Sequence, residues 1–130
     1  MKLLQPPDWP RPKGYANGVA TRGSLVFLSG IIGWNAQGQF PGSDFATQVR
    51  QALLNIVEIL KQAKARPEHI ARMTWYVLDK NEYMAAAKEM GAAYREIIGR
   101  HYPAMTVVEV SGLLEARARV EIEVTAVVPD

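Results

Sequence analysis

The side chains able to attack, ligate or move protons are few in this chain of 130 residues. There is no cysteine, so disulfides, thiolate metal sites and sulfur nucleophiles are excluded. His69 and His101 stand at no metal-ligand spacing and beside no carboxylate pattern. His69 follows Pro67-Glu68 in a polar connector, and His101 precedes Pro103; both read as surface loop residues. Ser29, just before Gly30, is the only serine at a strand end, and no histidine stands at a suggestive separation. A Ser-His-Asp triad is therefore unsupported. No strand–glycine-rich loop–helix pattern offers a phosphate cradle. Near the C-terminus, Arg119, Glu121, Glu123 and Thr125 share one strand face, which by itself reads as a solvated or ion-paired surface.

The elements that must position these groups follow from periodicity. Residues 1–14 hold four of the eight prolines and read as an extended lead-in, because proline lacks the N–H that helices and central strands use. Two strand-like runs, 15–21 and 25–29, flank Arg22-Gly23-Ser24, which reads as a hairpin turn. Tyr15, at the first strand's start, has packing as its simplest role. Residues 30–44, rich in Gly, Asn, Gln, Pro and Ser, form a long loop of the kind that often carries function. Trp34 reads as the aromatic that pins this loop, or as a lid on a cleft.

Asp44 is a candidate N-cap for the first helix. Phe45, Val49, Ala52, Leu53, Ile56, Val57 and Leu60 form its buried stripe, and Gln48, Arg50, Gln51, Glu58 and Lys61 flank it or face away. A third strand spans 72–78. A second helix spans 81–98, with Tyr83, Ala87, Met90, Ala93 or Tyr94, and Ile97 inward and Gly99 as its stop. Strands over 105–110 and 118–128 complete the order β-β-α-β-α-β-β. In the last, Val120, Ile122, Val124 and Ala126 share the inner face.

This order predicts one α+β domain over residues 1–130, a two-layer sandwich with two helices on one face of a mixed sheet. The third strand looks apolar on both faces, so the face without helices needs cover; an oligomer supplies it. Net charge is +2, from 15 basic and 13 acidic residues scattered among one another, which argues against a nucleic-acid surface. No apolar run is long enough for a signal peptide or a membrane span, so a soluble cytoplasmic protein is expected.

Three segments together resemble the RidA/YjgF (reactive intermediate deaminase) family. They are Gly14-Tyr15-Ala16-Asn17-Gly18-Val19 with Val26-Phe27-Leu28-Ser29-Gly30; Gln48-Val49-Arg50-Gln51-Ala52-Leu53-Leu54-Asn55-Ile56; and Tyr102-Pro103-Ala104 with Val107-Val108-Glu109-Val110 and Val120-Glu121-Ile122-Glu123-Val124. No single motif is specific, but the ordered set is, and it covers about residues 14–128.

The resemblance implies a chorismate-mutase-like fold and a homotrimer with small-molecule clefts between neighbouring subunits. It implies hydrolysis of reactive 2-imino acids to 2-keto acids and ammonia, with no metal or organic cofactor. By position, Glu121 matches the family's water-positioning glutamate, and Tyr15, Ser29 and Gly30 match its substrate-binding groups. A glutamate there can deprotonate the attacking water.

The match departs at four places. The family's Pro-Ala-Arg-Ser reads Pro103-Ala104-Met105-Thr106, so Met105 stands where an arginine anchors the substrate carboxylate. Val107 replaces a common cysteine, Ile31 replaces a glutamine, and Gly91 stands in place of a helix asparagine. A charge-assisted hydrogen bond is worth roughly 1.5–3 kcal/mol, so losing a bidentate pair weakens 2-imino acid binding by about 10² to 10⁴. Arg100, Arg117 and Arg119 are the candidates to replace the anchor. Efficient deamination of simple 2-imino acids is not expected. The expected ligand is instead a small imine or enamine with an apolar body, set against Ile31, Trp34, Met105, Thr106 and Val107. The alternative is a non-catalytic, metabolite-binding regulatory trimer.

Overall fold

A computed structural model describes all residues, 1–130. Its main sheet has the strand order β3 (Ser24–Phe27), β7 (Val120–Val128), β5 (Ile70–Val77), β6 (Ala104–Glu109), with β4 (Ile31–Ile32) also paired to β7. The last strand, β7 (Val120–Val128), is the longest and holds the sheet together. It pairs antiparallel with β3 (Ser24–Phe27), β4 (Ile31–Ile32) and β5 (Ile70–Val77). β6 (Ala104–Glu109) runs parallel to β5, a pairing that requires a crossover; helices α2 (Lys80–Ala85) and α3 (Ala87–Ile97) supply it.

The alternation in β7 is as expected. Val120, Ile122, Val124 and Ala126 are buried toward the helices, while Glu121, Glu123 and Thr125 face away. Met73, Trp75 and Val77 of β5 join the same core as Phe45, Val49, Leu53, Ile56 and Leu60 of α1 (Phe45–Gln62). Removing such a buried side chain, as in Leu53→Ala, costs about 2–5 kcal/mol. Asp44 caps α1 as expected: its Oδ2 accepts from the Thr47 N–H at 3.1 Å. The Thr47 side-chain and backbone hydrogen bonds hold the Asp44 carboxyl below its ordinary value of 3.8.

Five expectations are corrected. Residues 15–21 and 25–29 do not form a hairpin. Instead β2 (Val19–Ala20) pairs with β1 (Lys2–Leu3), inside the proline-rich lead-in, and β3 pairs with β7. Gly23 turns the chain between the two sheets at φ +145°, where a Cβ would stand 2.1 Å from the Val128 carbonyl oxygen. The long loop begins with the short strand β4, whose Ile31 pairs with Ile122. The second helix is two, broken at Ala86 (φ −90°, ψ 6°), with Asp79 capping the first. Gln48 is not a flanking residue: it is fully buried. The outer face of β5 is not apolar, for it presents Arg72, Thr74 and Tyr76.

Candidate active site

Between β6, the α2–α3 pair and the segment Lys13–Tyr15 lies a pocket of about 610 Å³. Met105 and Val107 of β6, Trp75 of β5, Tyr83 of α2 and Met90 and Tyr94 of α3 form its apolar wall. Helix α3 ends against the chain turn at Gly99 (φ +96°), whose N–H donates to the Tyr94 carbonyl at 3.1 Å. That turn brings Tyr102 back onto Tyr94. The two rings stack at 9° with centroids 5.5 Å apart. The Tyr94 hydroxyl donates to the His101 carbonyl at 2.6 Å, and burial, reinforced by Tyr102, pushes its pKa well above the ordinary tyrosine value. Tyr83 meets Trp75 edge-on at 6.2 Å, and burial raises its pKa too. The Trp75 indole N–H is buried without an acceptor. The Tyr15 segment is fixed by Ala16, whose N–H donates to the Pro103 carbonyl at 2.9 Å and which bridges in parallel to Ala104.

Three of the sequence-selected residues, Tyr15, Met105 and Val107, therefore share this pocket. A second group gathers elsewhere. Glu121 lies half-buried on β7, and Gly30 lies against its carboxylate: a Cβ on Gly30 would stand 2.3 Å from Glu121 Oε2. Ser29 beside it is exposed, whereas Ile31 on β4 pairs with Ile122 and packs, half-buried, against the helix-side core. Tyr76 pairs in register with Glu121 and donates its hydroxyl to Glu123 Oε1 at 2.7 Å. That hydrogen bond raises the Tyr76 pKa.

The two groups occupy opposite faces of the sheet. Trp75 pairs with both Val107 and Ile122 and faces the helices; its neighbour Tyr76 pairs with Val108 and Glu121 and faces away. Within one chain Glu121 thus cannot reach a ligand lying on Met105. Thr106 is exposed on the side opposite Met105, outside the pocket. Trp34 also lies outside it, tilted against Phe40 at 6.3 Å, and its carbonyl accepts from Asn55 Nδ2 at 2.7 Å.

None of the three arginines considered as replacement anchors lines the pocket. Arg119 is held by Glu82, with Nη2 to Oε2 at 2.9 Å, and that bond raises its pKa. Arg117 lies 5.1 Å over the Phe40 ring and bonds Glu115. Arg100 is exposed elsewhere. Sequence reasoning missed Lys13, Arg95 and Tyr102 as lining residues, and it took Trp75, Tyr83 and Met90 for plain core. The available signal was the aromatic density of the inner faces of 75–94 together with Gly91 four residues before Arg95. The histidines are less free than expected: His101 Nε2 lies 2.6 Å from the Ile70 carbonyl, and His69 Nδ1 accepts from the Arg66 N–H at 3.0 Å.

The sequence of residues 10–128 matches the model of the family described as endoribonuclease L-PSP. A RutC family protein of Aquifex aeolicus is 33% identical over 130 residues, spanning 98% of this chain and 99% of its own. A 2-iminobutanoate/2-iminopropanoate deaminase of Capra hircus is 31% identical over 103 residues, 78% of this chain and 72% of the goat protein. The crystal structure of a Rid-family protein of unknown function from Yersinia pestis superposes with a TM-score of 0.82 at 27% identity, covering 98% of both chains. The architecture is thus the α+β, chorismate-mutase-like fold of that family. No helix of the chain is long and apolar enough to cross a membrane. The chain belongs to the endoribonuclease L-PSP family, the RidA/YjgF group that its N-terminal Gly-Tyr and Ser-Gly, helix and C-terminal strand motifs resemble.

Proposed function

We propose that residues 1–130 act as one RidA-like domain in a cytoplasmic homotrimer, which hydrolyses a small imine or enamine without a cofactor. The observation that carries this reading is the split of the site. Tyr15, Met105 and Val107 line one pocket, while Glu121 with Ser29 and Gly30 stands on the opposite sheet face. A cleft that contains both groups needs a second copy of the chain. In that cleft the Glu121 carboxylate takes a proton from water as the oxygen attacks the imine carbon. That proton passes to the imine nitrogen to give a carbinolamine; its hydroxyl proton then moves to the same nitrogen as the C–N bond breaks, so ammonia leaves and a carbonyl remains. Met105, Val107 and the aromatic wall favour an apolar substrate body, and about 610 Å³ is ample for one larger than a three-carbon acid. The name endoribonuclease finds no support in the charge pattern, which has no basic stripe.

The test uses purified protein added to 2-imino acids generated in situ by an amino-acid oxidase, with ammonia release as the readout. The expected result is faster hydrolysis of imines with large apolar bodies than of 2-iminopropionate, loss of the acceleration in Glu121→Gln, and improved use of 2-iminopropionate in Met105→Arg. Saturable binding with no acceleration for any imine would replace this reading with the regulatory trimer. Light scattering should give three times the 14.4 kDa chain mass; a monomer would defeat the shared cleft.

A further inference from the structure

The charge of the pocket is unbalanced. Lys13 and Arg95 line it, and no aspartate or glutamate does. Neither cation is in any ion pair of the chain, whereas Arg50, Arg66, Arg117 and Arg119 all are. Arg95 lies in the last turn of α3, four residues after Gly91. Helical side chains run back toward the N-terminus, so residue 95 covers position 91. Gly91 leaves that position bare: a Cβ there would stand 3.2 Å from Arg95 Nη1, tighter than ordinary contact. Glycine is a poor residue for a helix interior. Its presence here lets the guanidinium lie down on the helix at the pocket wall.

We propose that Arg95 is the anion anchor of this pocket, with Lys13 adding to the positive field, and that the ligand is a carboxylate with an aromatic or similarly flat apolar body. The proposal names the substrate class for the hydrolase reading given above and rests on it. The planar guanidinium fork matches a carboxylate with two parallel hydrogen bonds. A phosphate is less well served, because this end of α3 presents carbonyls rather than free amides. Tyr83, Tyr94, Tyr102 and Trp75 supply ring faces and edges for the body. The anchor thus stands on the helix side of the pocket, and Met105 on the strand side is free to be apolar.

The experiment is calorimetric titration of the full chain with 3-phenylpropionate, its neutral amide 3-phenylpropanamide, and phenyl phosphate. The carboxylate should bind more tightly than the amide. Arg95→Gln should weaken the carboxylate by roughly 10- to 100-fold and leave the amide unchanged, and Arg95→Lys should restore part of the loss. Arg95 is exposed and unpaired, so Arg95→Gln should fold normally, with an unchanged melting temperature as the check. Equal binding of acid and amide, no binding of either, or an unaltered carboxylate affinity in Arg95→Gln would overturn the anchor. Arg95-dependent binding of phenyl phosphate that exceeds the carboxylate would overturn the ligand class. Imine turnover separates the two readings. Carboxylate binding through Arg95 with no hydrolysis of any imine would leave the anchor and remove the hydrolase. Hydrolysis of 2-imino-3-phenylpropionate by Arg95→Gln at wild-type KM would do the reverse.

Discussion

Gly30 and Glu121 are fitted to one another: the space a Cβ would fill at Gly30 is taken by the Glu121 carboxylate, 2.3 Å from Oε2 and 2.6 Å from Cδ. Gly30→Ala therefore forces the carboxylate aside. The displaced atoms are the far end of a flexible side chain, so the fold should survive with little loss of stability. On the proposed reading, in which Glu121 is the base, moving it by about 1 Å should lower kcat by on the order of 10²-fold. Imine turnover beside a melting curve checks this. Unchanged kcat would mean that the position of Glu121 does not matter to the chemistry.

Gln48 ties the chain ahead of β7 to α1. Its Nε2 donates to the Arg117 carbonyl at 3.0 Å, and its Oε1 accepts from the Arg119 N–H at 2.7 Å. Gln48→Ala leaves both partly buried backbone groups without this partner and opens a gap at a fully buried position, and it should cost about 1–3 kcal/mol. Gln48→Leu, which keeps the volume, should cost nearly as much. Urea denaturation of both variants measures this; a neutral Gln48→Leu would show that packing alone is served.

Tyr94 makes stability fall at alkaline pH. Its raised pKa keeps it protonated in the folded chain when an unfolded tyrosine, near 10.0, would ionise. The unfolded state then binds fewer protons, so this contribution is intact below about pH 10 and is lost as pH rises toward the folded value. Tyr94→Phe should lose about 0.5–1.5 kcal/mol at neutral pH with the hydrogen bond to the His101 carbonyl. Its stability should then decline less steeply than wild type between pH 9 and 11. Parallel declines in urea unfolding at several pH values would contradict the assignment to Tyr94.

Local pattern carried much of the fold. The 3.6-residue stripe from Phe45 to Leu60, the Asp44 cap, the Gly99 stop and the alternation of Val120 to Ala126 are each written in neighbouring residues, and each has the expected structure. Pairing is not local. Val19–Ala20 and Ser24–Phe27 read equally well as a hairpin, but the long edge of β7 is the better partner for Ser24–Phe27, and Lys2–Leu3 takes the other strand. Gln48 reads as a polar flank because the carbonyl and amide that bury it come from residues 117 and 119, far along the chain.

The sequence by itself determined the α+β class, the inner faces of the helices and β7, and the motifs that mark the family, because these depend on side-chain period and residue type. Tertiary structure alone decided which of the marked residues meet. Tyr15, Met105 and Val107 come together because Ala16 is stitched to Pro103 and β6 lies beside β5. Glu121 is kept from them because adjacent positions on a strand point to opposite faces, so a pairing register fixes which side each residue serves. Arg95 was invisible as a pocket residue for the same kind of reason: a helix surface charge becomes a binding group only when a pocket wall rises beside it, and Gly91 makes room for its head.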